Sequence, residues 1–209
     1  DKLRGDPAFY PKGLNSLGWY HFQRREWKEA NQYFLKILTE FPQYQTTPSL
    51  FLLVGECYLN QNDYEKARGY LTRLTSMGKG EGDNGKAYYL LGWVAYREER
   101  FDEAMEHFRK LIESNPQSPY GDESQYWIGW SHFRKKEFQK AIEEFSLAIQ
   151  INPNYADAYH NRGNTYQKMG KDDLALEIVD QPRGQPEPAL AVRCLLQFAA
   201  QKPRATQVQ

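Results

Sequence analysis

Small and apolar residues return along this chain with a fixed beat. Gly18, Gly55, Gly92, Gly129 and Gly163 are spaced by 37, 37, 37 and 34 residues, and twelve residues after each stands an alanine: Ala30, Ala67, Ala104, Ala141 and Ala175. A period of this size marks a stacked array of small units with no single central core. Within a unit the apolar positions fall at i, i+3, i+4 and i+7, the spacing of one helical face. In the third unit Tyr88, Leu91, Gly92 and Ala95 mark a face of a first helix, helix A; Ala104, Phe108 and Leu111 mark a face of a second, helix B. The paired glycine and alanine are expected to let the two helix backbones approach closely, where a larger side chain would overpack the contact.

With each glycine placed at position 8, the units start at Pro11, Pro48, Gly85, Asp122 and Ala156. Position 17 is aromatic in four of them (Trp27, Tyr64, Phe101, Phe138), and position 24 is large and apolar (Phe34, Leu71, Phe108, Phe145, Val179). Position 32 brings Pro42, Pro116 and Pro153, which stop helix B because proline cannot donate to the preceding turn. Glu98-Glu-Arg100 and Lys135-Lys-Glu137 read as polar turns between helices. The pattern predicts helix pairs at 8–23 and 27–40, 48–61 and 64–76, 85–98 and 101–114, 120–135 and 138–151, and 155–169 and 171–179. The residues beyond a 34-residue repeat fall in the connectors, and Gly78 to Gly85, with four glycines, is expected to be the most mobile joint.

These positions resemble the tetratricopeptide repeat (TPR), with small residues at 8 and 20, large apolar residues at 4, 7, 11, 17 and 24, and proline at 32. The resemblance covers about residues 8–180. It implies an all-α protein: a right-handed α-solenoid of about five helix-turn-helix repeats with a possible C-terminal capping helix. A weaker likeness, mostly over residues 100–130, links the connectors to bacterial cell-envelope TPR proteins of the Tol–Pal-associated or outer-membrane assembly lipoprotein type, and leans the localisation towards the envelope. The array is expected over 1–180. The fifth repeat departs from the pattern at Asp172 and Pro182, and a proline-rich linker occupies 181–188. Residues 189–201, with Leu190, Leu195, Leu196 and Phe198, form either a cap or part of a disordered tail that runs to 209.

In this family the inner wall of the superhelix is built from helix A, mainly positions 2, 5, 9, 12 and 13. Carried onto this chain, position 9 gives Trp19, Glu56, Trp93, Trp130 and Asn164, and position 12 gives Phe22, Leu59, Tyr96, Phe133 and Gln167. Position 5 contributes Tyr89 and Tyr126, and position 13 contributes Arg97 and Arg134. Tryptophan and tyrosine supply large contact area at low entropic cost and dominate interface hot spots. The resemblance therefore implies a non-catalytic scaffold with an aromatic concave groove for a peptide or helix of a protein partner. The same rings could instead be core, packed on the neighbouring helix A. Arg97 and Arg134 read either as receivers of a carboxylate or as solvated charges. The clamp by which some TPR proteins hold chaperone C-termini is not supported, since position 5 has no lysine and asparagine reaches position 9 only at Asn164. Two other readings stay open: an oligomerisation module whose arrays stack end to end or through helix B, and a regulatory segment of a larger protein.

Composition narrows the partner. Lysine plus arginine and aspartate plus glutamate are 27 each, which argues against a nucleic-acid partner needing a basic face. No apolar run approaches the ~20 residues of a membrane span. Asp1 reads as the start of a processed or trimmed chain. Cys57 and Cys194 read as independent free thiols. His21, His107, His132 and His160 lack metal spacing, and His21 and His132 at position 11 read as satisfied residues inside a helix pair. With no nucleophile elbow and no phosphate loop, the expectation is no enzyme, no cofactor and no small-molecule substrate.

Overall fold

The computed structural model describes residues 9–44, 47–77 and 81–179. They form five helix pairs in chain order: α1 (Tyr10–Gln23) with α2 (Trp27–Glu40), α3 (Thr47–Asn60) with α4 (Tyr64–Ser76), α5 (Glu81–Arg97) with α6 (Phe101–Ser114), α7 (Gly121–Arg134) with α8 (Phe138–Ile151), and α9 (Ala156–Lys168) with α10 (Asp172–Val179). Each helix packs on the next in sequence, and α3 also reaches α5. No strand occurs among the described residues. The apolar interior is a string of clusters joined by shared residues: Tyr58 and Tyr70 belong to the first and second, Trp127 bridges the second to the third, and Tyr159 bridges the third to the fourth. That is the core of an α-solenoid, in which each pair hides the flank of its neighbour.

Position 15 fixes the turn inside every pair. Arg25, Asn62, Glu99, Lys136 and Gly170 all have left-handed backbones, with φ between 59° and 70°. The following amide then reaches back five residues, as from Glu26 to His21 and from Lys171 to Tyr166, both 3.0 Å. This closure satisfies the last carbonyls of helix A. Four of the five residues are not glycine, so the turn is held against a local cost by the packing around it.

The repeated glycine makes the room that its pairing with alanine suggests, and a side chain of helix B takes it: a Cβ on Gly55 would stand 3.5 Å from the Ala67 carbonyl oxygen and 2.7 Å from Leu71. A Cβ on Gly92 would stand 2.5 Å from the Phe108 ring, and one on Gly129 would stand 2.7 Å from Phe145. Position 8 is therefore the seat of the side chain at position 24, and those rings are fully buried. In the fifth repeat a Cβ on Gly163 would meet the Ala175 carbonyl oxygen at 3.9 Å, an ordinary contact.

The glycine-rich connector is shorter than expected. α5 begins at Glu81, four residues before the expected start, and takes up Gly82 and Gly85. Each glycine costs a helix about 1 kcal/mol relative to alanine. Gly85 and Ala87 are buried in the joint. The predicted linker over 181–188 and the cap or tail over 189–209 lie outside the described residues.

Candidate functional site

Position 9 of helix A carries an indole in three repeats, and the three indoles sit differently. Trp19 on α1 is 41% exposed and meets Phe22 edge on at 5.3 Å. Trp93 on α5 is wedged against Trp127 of α7, with ring centres 4.2 Å apart, and lies 6.1 Å from Tyr96. Trp130 on α7 donates its Nε1 hydrogen to the Tyr126 hydroxyl (2.6 Å), which also accepts from Asn161 Nδ2 on α9 (2.8 Å). Both inner indoles stay half-buried. In the second repeat the same place holds an ion pair in which Lys86 of α5 meets Glu56 at 2.7 Å.

Position 12 forms a staple with position 17 across the turn. Phe22 meets Trp27 at 5.3 Å, Tyr96 meets Phe101 at 5.6 Å and Phe133 meets Phe138 at 5.5 Å. These rings are half-buried, each with one side supported by its own repeat. The fifth repeat has Gln167 and Asp172 in their places.

The tyrosines of position 5 lie beneath the wall rather than on it. Tyr89 is 9% exposed and stacks on Tyr120 at 4.9 Å; Tyr126 is 7% exposed and packs on Tyr155 at 5.0 Å and Phe145 at 5.6 Å. Burial raises the pKa of both phenols, and Glu123 adds to the rise at Tyr89. Of the two readings left open for these rings, their burial favours the core: each fills the joint where one repeat meets the next.

Arg97 and Arg134 are exposed but engaged. Arg97 Nε donates to the Tyr64 hydroxyl of the preceding repeat (3.1 Å). Arg134 lies 5.1 Å over the Phe101 ring and donates to Glu99 at 2.6 Å. A base at position 13 thus rests on position 17 of the repeat before it, a cation–π brace in the second case. Arg134 thus receives a carboxylate of the chain itself, that of Glu99, whereas Arg97 meets a phenol.

Trp127 is the residue that the wall positions missed. It stands at position 6, touches Trp93, Tyr96 and Tyr126, and joins two clusters of the core. The signal was available, because the preceding repeats carry Leu53 and Leu90 there.

The two histidines at position 11 meet the reading made of them. His21 Nδ1 donates to Glu26 Oε2 (2.6 Å) and His132 Nδ1 donates to Glu137 Oε2 (2.7 Å), each tying the end of helix A to the start of helix B. The bonds from His132 and Lys140 hold the Glu137 carboxyl down to about 2. Cys57 is buried, and burial pushes its thiol up to about 12. Among the described residues no cluster of three or more histidine, cysteine or acidic side chains is placed to hold a metal ion. No helix among them is long and apolar enough to cross a membrane.

Two family models match the chain: one described as Tetratricopeptide repeat over residues 55–119, and one described as TPR repeat over residues 129–170. Together they cover about half of it. Among solved structures, a crystal structure of MamA is 20% identical, with a TM-score of 0.68 over 88% of this chain and 97% of that one. MamA residues 41 to the end from Desulfovibrio magneticus RS-1 are 15% identical, with a TM-score of 0.70 over 95% of this chain and 99% of that one. No curated protein sequence matches. These structures share the fold and give no support to the cell-envelope likeness. Repeat spacing, ten helices in consecutive pairs among the described residues and both family matches lead to one conclusion: the chain belongs to the tetratricopeptide repeat family, whose stacked helix pairs are protein-interaction scaffolds.

Proposed function

We propose that this chain is a non-catalytic scaffold that holds a peptide or helix of a protein partner against the wall formed by its A helices. The observation that carries the reading is the line of position-9 and position-12 rings: Trp19 and Phe22, then Trp93 and Tyr96, then Trp130 and Phe133. Each is supported on one side and retains exposed surface. Rigid, half-supported aromatic rings are what interface hot spots are made of. Arg97 and Arg134 border the line and fix neighbouring repeats, so the spacing between rings is set before any partner arrives. Preorganisation of this kind lowers the entropic cost of binding. The balanced charge favours a partner held by apolar contact over one drawn in by charge.

Trp19 is the anchor in this reading, since its indole is the most open of the three. Peptides selected from a random display library on the purified protein supply the probe. Trp19→Ala is expected to weaken a selected peptide by ~2 kcal/mol, with the melting midpoint unchanged. Selected peptides whose affinity is indifferent to Trp19→Ala, Trp93→Phe and Trp130→Phe alike would refute the groove.

A further inference from the structure

Helix A has a second face, turned towards the preceding repeat, and it is sealed wherever a described helix precedes it. Position 7 is Val54, Leu91 and Ile128 in the second to fourth repeats, and position 10 is Cys57 and Val94 in the second and third and Thr165 in the fifth; all six are at most 3% exposed. The seal is helix B of the repeat before, as where Arg162 Nη1 at position 7 donates to Ser146 Oγ on α8 (3.1 Å). On α1 the same two positions are Leu17, 45% exposed, and Tyr20, 53% exposed. No described element precedes α1. The first repeat therefore carries a complete stacking face with nothing described against it.

We propose that this face takes α10 of a second copy of the chain, so that the array continues from one copy into the next. Continuity of the interface is the first support: α10 is a helix B, and a helix B is what covers this face in all later repeats. Charge is the second. Two of the four joints inside the array pair position 18 or 21 of helix B with position 14 of the next helix A: Asp102 with Lys135 at 2.5 Å, and Arg68 with Glu98 at 2.5 Å. At the first and last described helices these places hold Arg24 on α1, which also meets Glu26 at 2.8 Å, and Asp173 on α10, both exposed, with Arg25 and Asp172 beside them. Docked in the register of the array, α10 sets Asp173 against Arg24 and covers Tyr20. Because the two ends differ, the contact is heterologous and does not close, so assembly proceeds beyond a dimer. Two copies meeting α1 to α1 would instead bring their arginines together.

Sedimentation velocity on the full chain, from micromolar to millimolar concentration, tests this. The weight-average mass is expected to rise past twice that of one chain. Arg24→Glu and Asp173→Arg are each expected to weaken association about tenfold or more, as reversal of a paired interface charge does, and the two changes in one chain are expected to restore it. Leu17→Glu is expected to leave the chain a monomer with an unchanged circular dichroism spectrum, since Leu17 is 45% exposed on the outer face of α1. Trp19→Ala on the other face is expected to associate as wild type does. A chain that stays monomeric throughout, a mass that levels at two copies, or a double reversal that fails to restore association overturns the proposal.

Discussion

Trp19 and Trp93 occupy the same place in their repeats, yet one indole stands open while the other is clamped 4.2 Å from Trp127. The difference comes from the next repeat. Behind Trp19, position 6 is Leu53, an aliphatic side chain buried with Leu14, Phe34 and Ile37 of the first repeat; behind Trp93 it is the indole of Trp127; behind Trp130 it is Asn161, which completes the bond to Tyr126. A single residue type at a repeated position is thus open at one end of the array and part of a packed joint in its middle. Position 7 and position 10 show the same contrast, with Leu17 and Tyr20 open on α1 and their equivalents sealed further along.

The strongest way to break the comparison is to remove the clamp. Trp127→Ala opens the joint between the third and fourth repeats and is expected to cost about 3 kcal/mol or more, as large-to-small core changes do. Trp19→Ala is expected to stay within about 0.5 kcal/mol of wild type, the range of an exposed site. Urea midpoints measured side by side on the two variants check both, and equal losses would deny the difference between the ends. A second pair sets Gly92 against Gly163. Gly92→Ala drives a methyl into Phe108 and is expected to cost ~1–3 kcal/mol. Gly163→Ala meets the Ala175 carbonyl oxygen at an ordinary 3.9 Å and is expected to be neutral or to stabilise by up to about 1 kcal/mol through helix propensity.

Smaller effects sharpen the picture at the turns. Lys136→Gly relieves a left-handed backbone that only glycine adopts freely, and thermal melts are expected to show a gain of about 1 kcal/mol, whereas Gly170→Ala is expected to lose a similar amount. Acid separates the joints as well. Burial lowers the His107 pKa below its ordinary 6.5, against the upward pull of Glu103 and Glu106 and with Lys110 adding to the fall. The imidazole is therefore held neutral in the folded chain. Stability from this group is present above 6.5 and declines as pH falls through 6.5 towards the lower folded value, because the unfolded chain binds the proton first. Glu137, held down to about 2 from an ordinary 4.5, acts lower: its contribution is complete above 4.5 and is lost between 4.5 and about 2. Urea midpoints followed with pH are expected to show the upper limb vanish in His107→Gln and the lower limb shrink in Glu137→Gln.

Much of the fold was legible in the sequence. Helices 27–40, 64–76, 101–114 and 138–151 match α2, α4, α6 and α8 to the residue, because each opens at a position-17 aromatic after a fixed turn and most end ahead of a proline. The start of α5 was not legible, since Glu81-Gly-Asp-Asn-Gly reads as a linker until the burial of Gly85 and Ala87 outweighs its poor propensity. The candidate site was legible as a set of positions and not as a set of environments. Period alone places Trp19, Trp93 and Trp130 together; which of them is covered depends on position 6 of the following repeat, a contact between residues more than thirty apart. Tyr89 and Tyr126 looked like wall residues for the same reason, and Arg97 and Arg134 looked free because their partners Tyr64 and Phe101 belong to another repeat.

Fluorine NMR of the chain labelled with 5-fluorotryptophan tests the central contrast most directly, since its five tryptophans report one by one. Titrated with a selected peptide, the Trp19 resonance is expected to shift first and furthest, while that of Trp127 holds its position. A titration in which Trp127 moves and Trp19 does not would contradict the assignment of the first repeat as contact surface and of the central joint as structure.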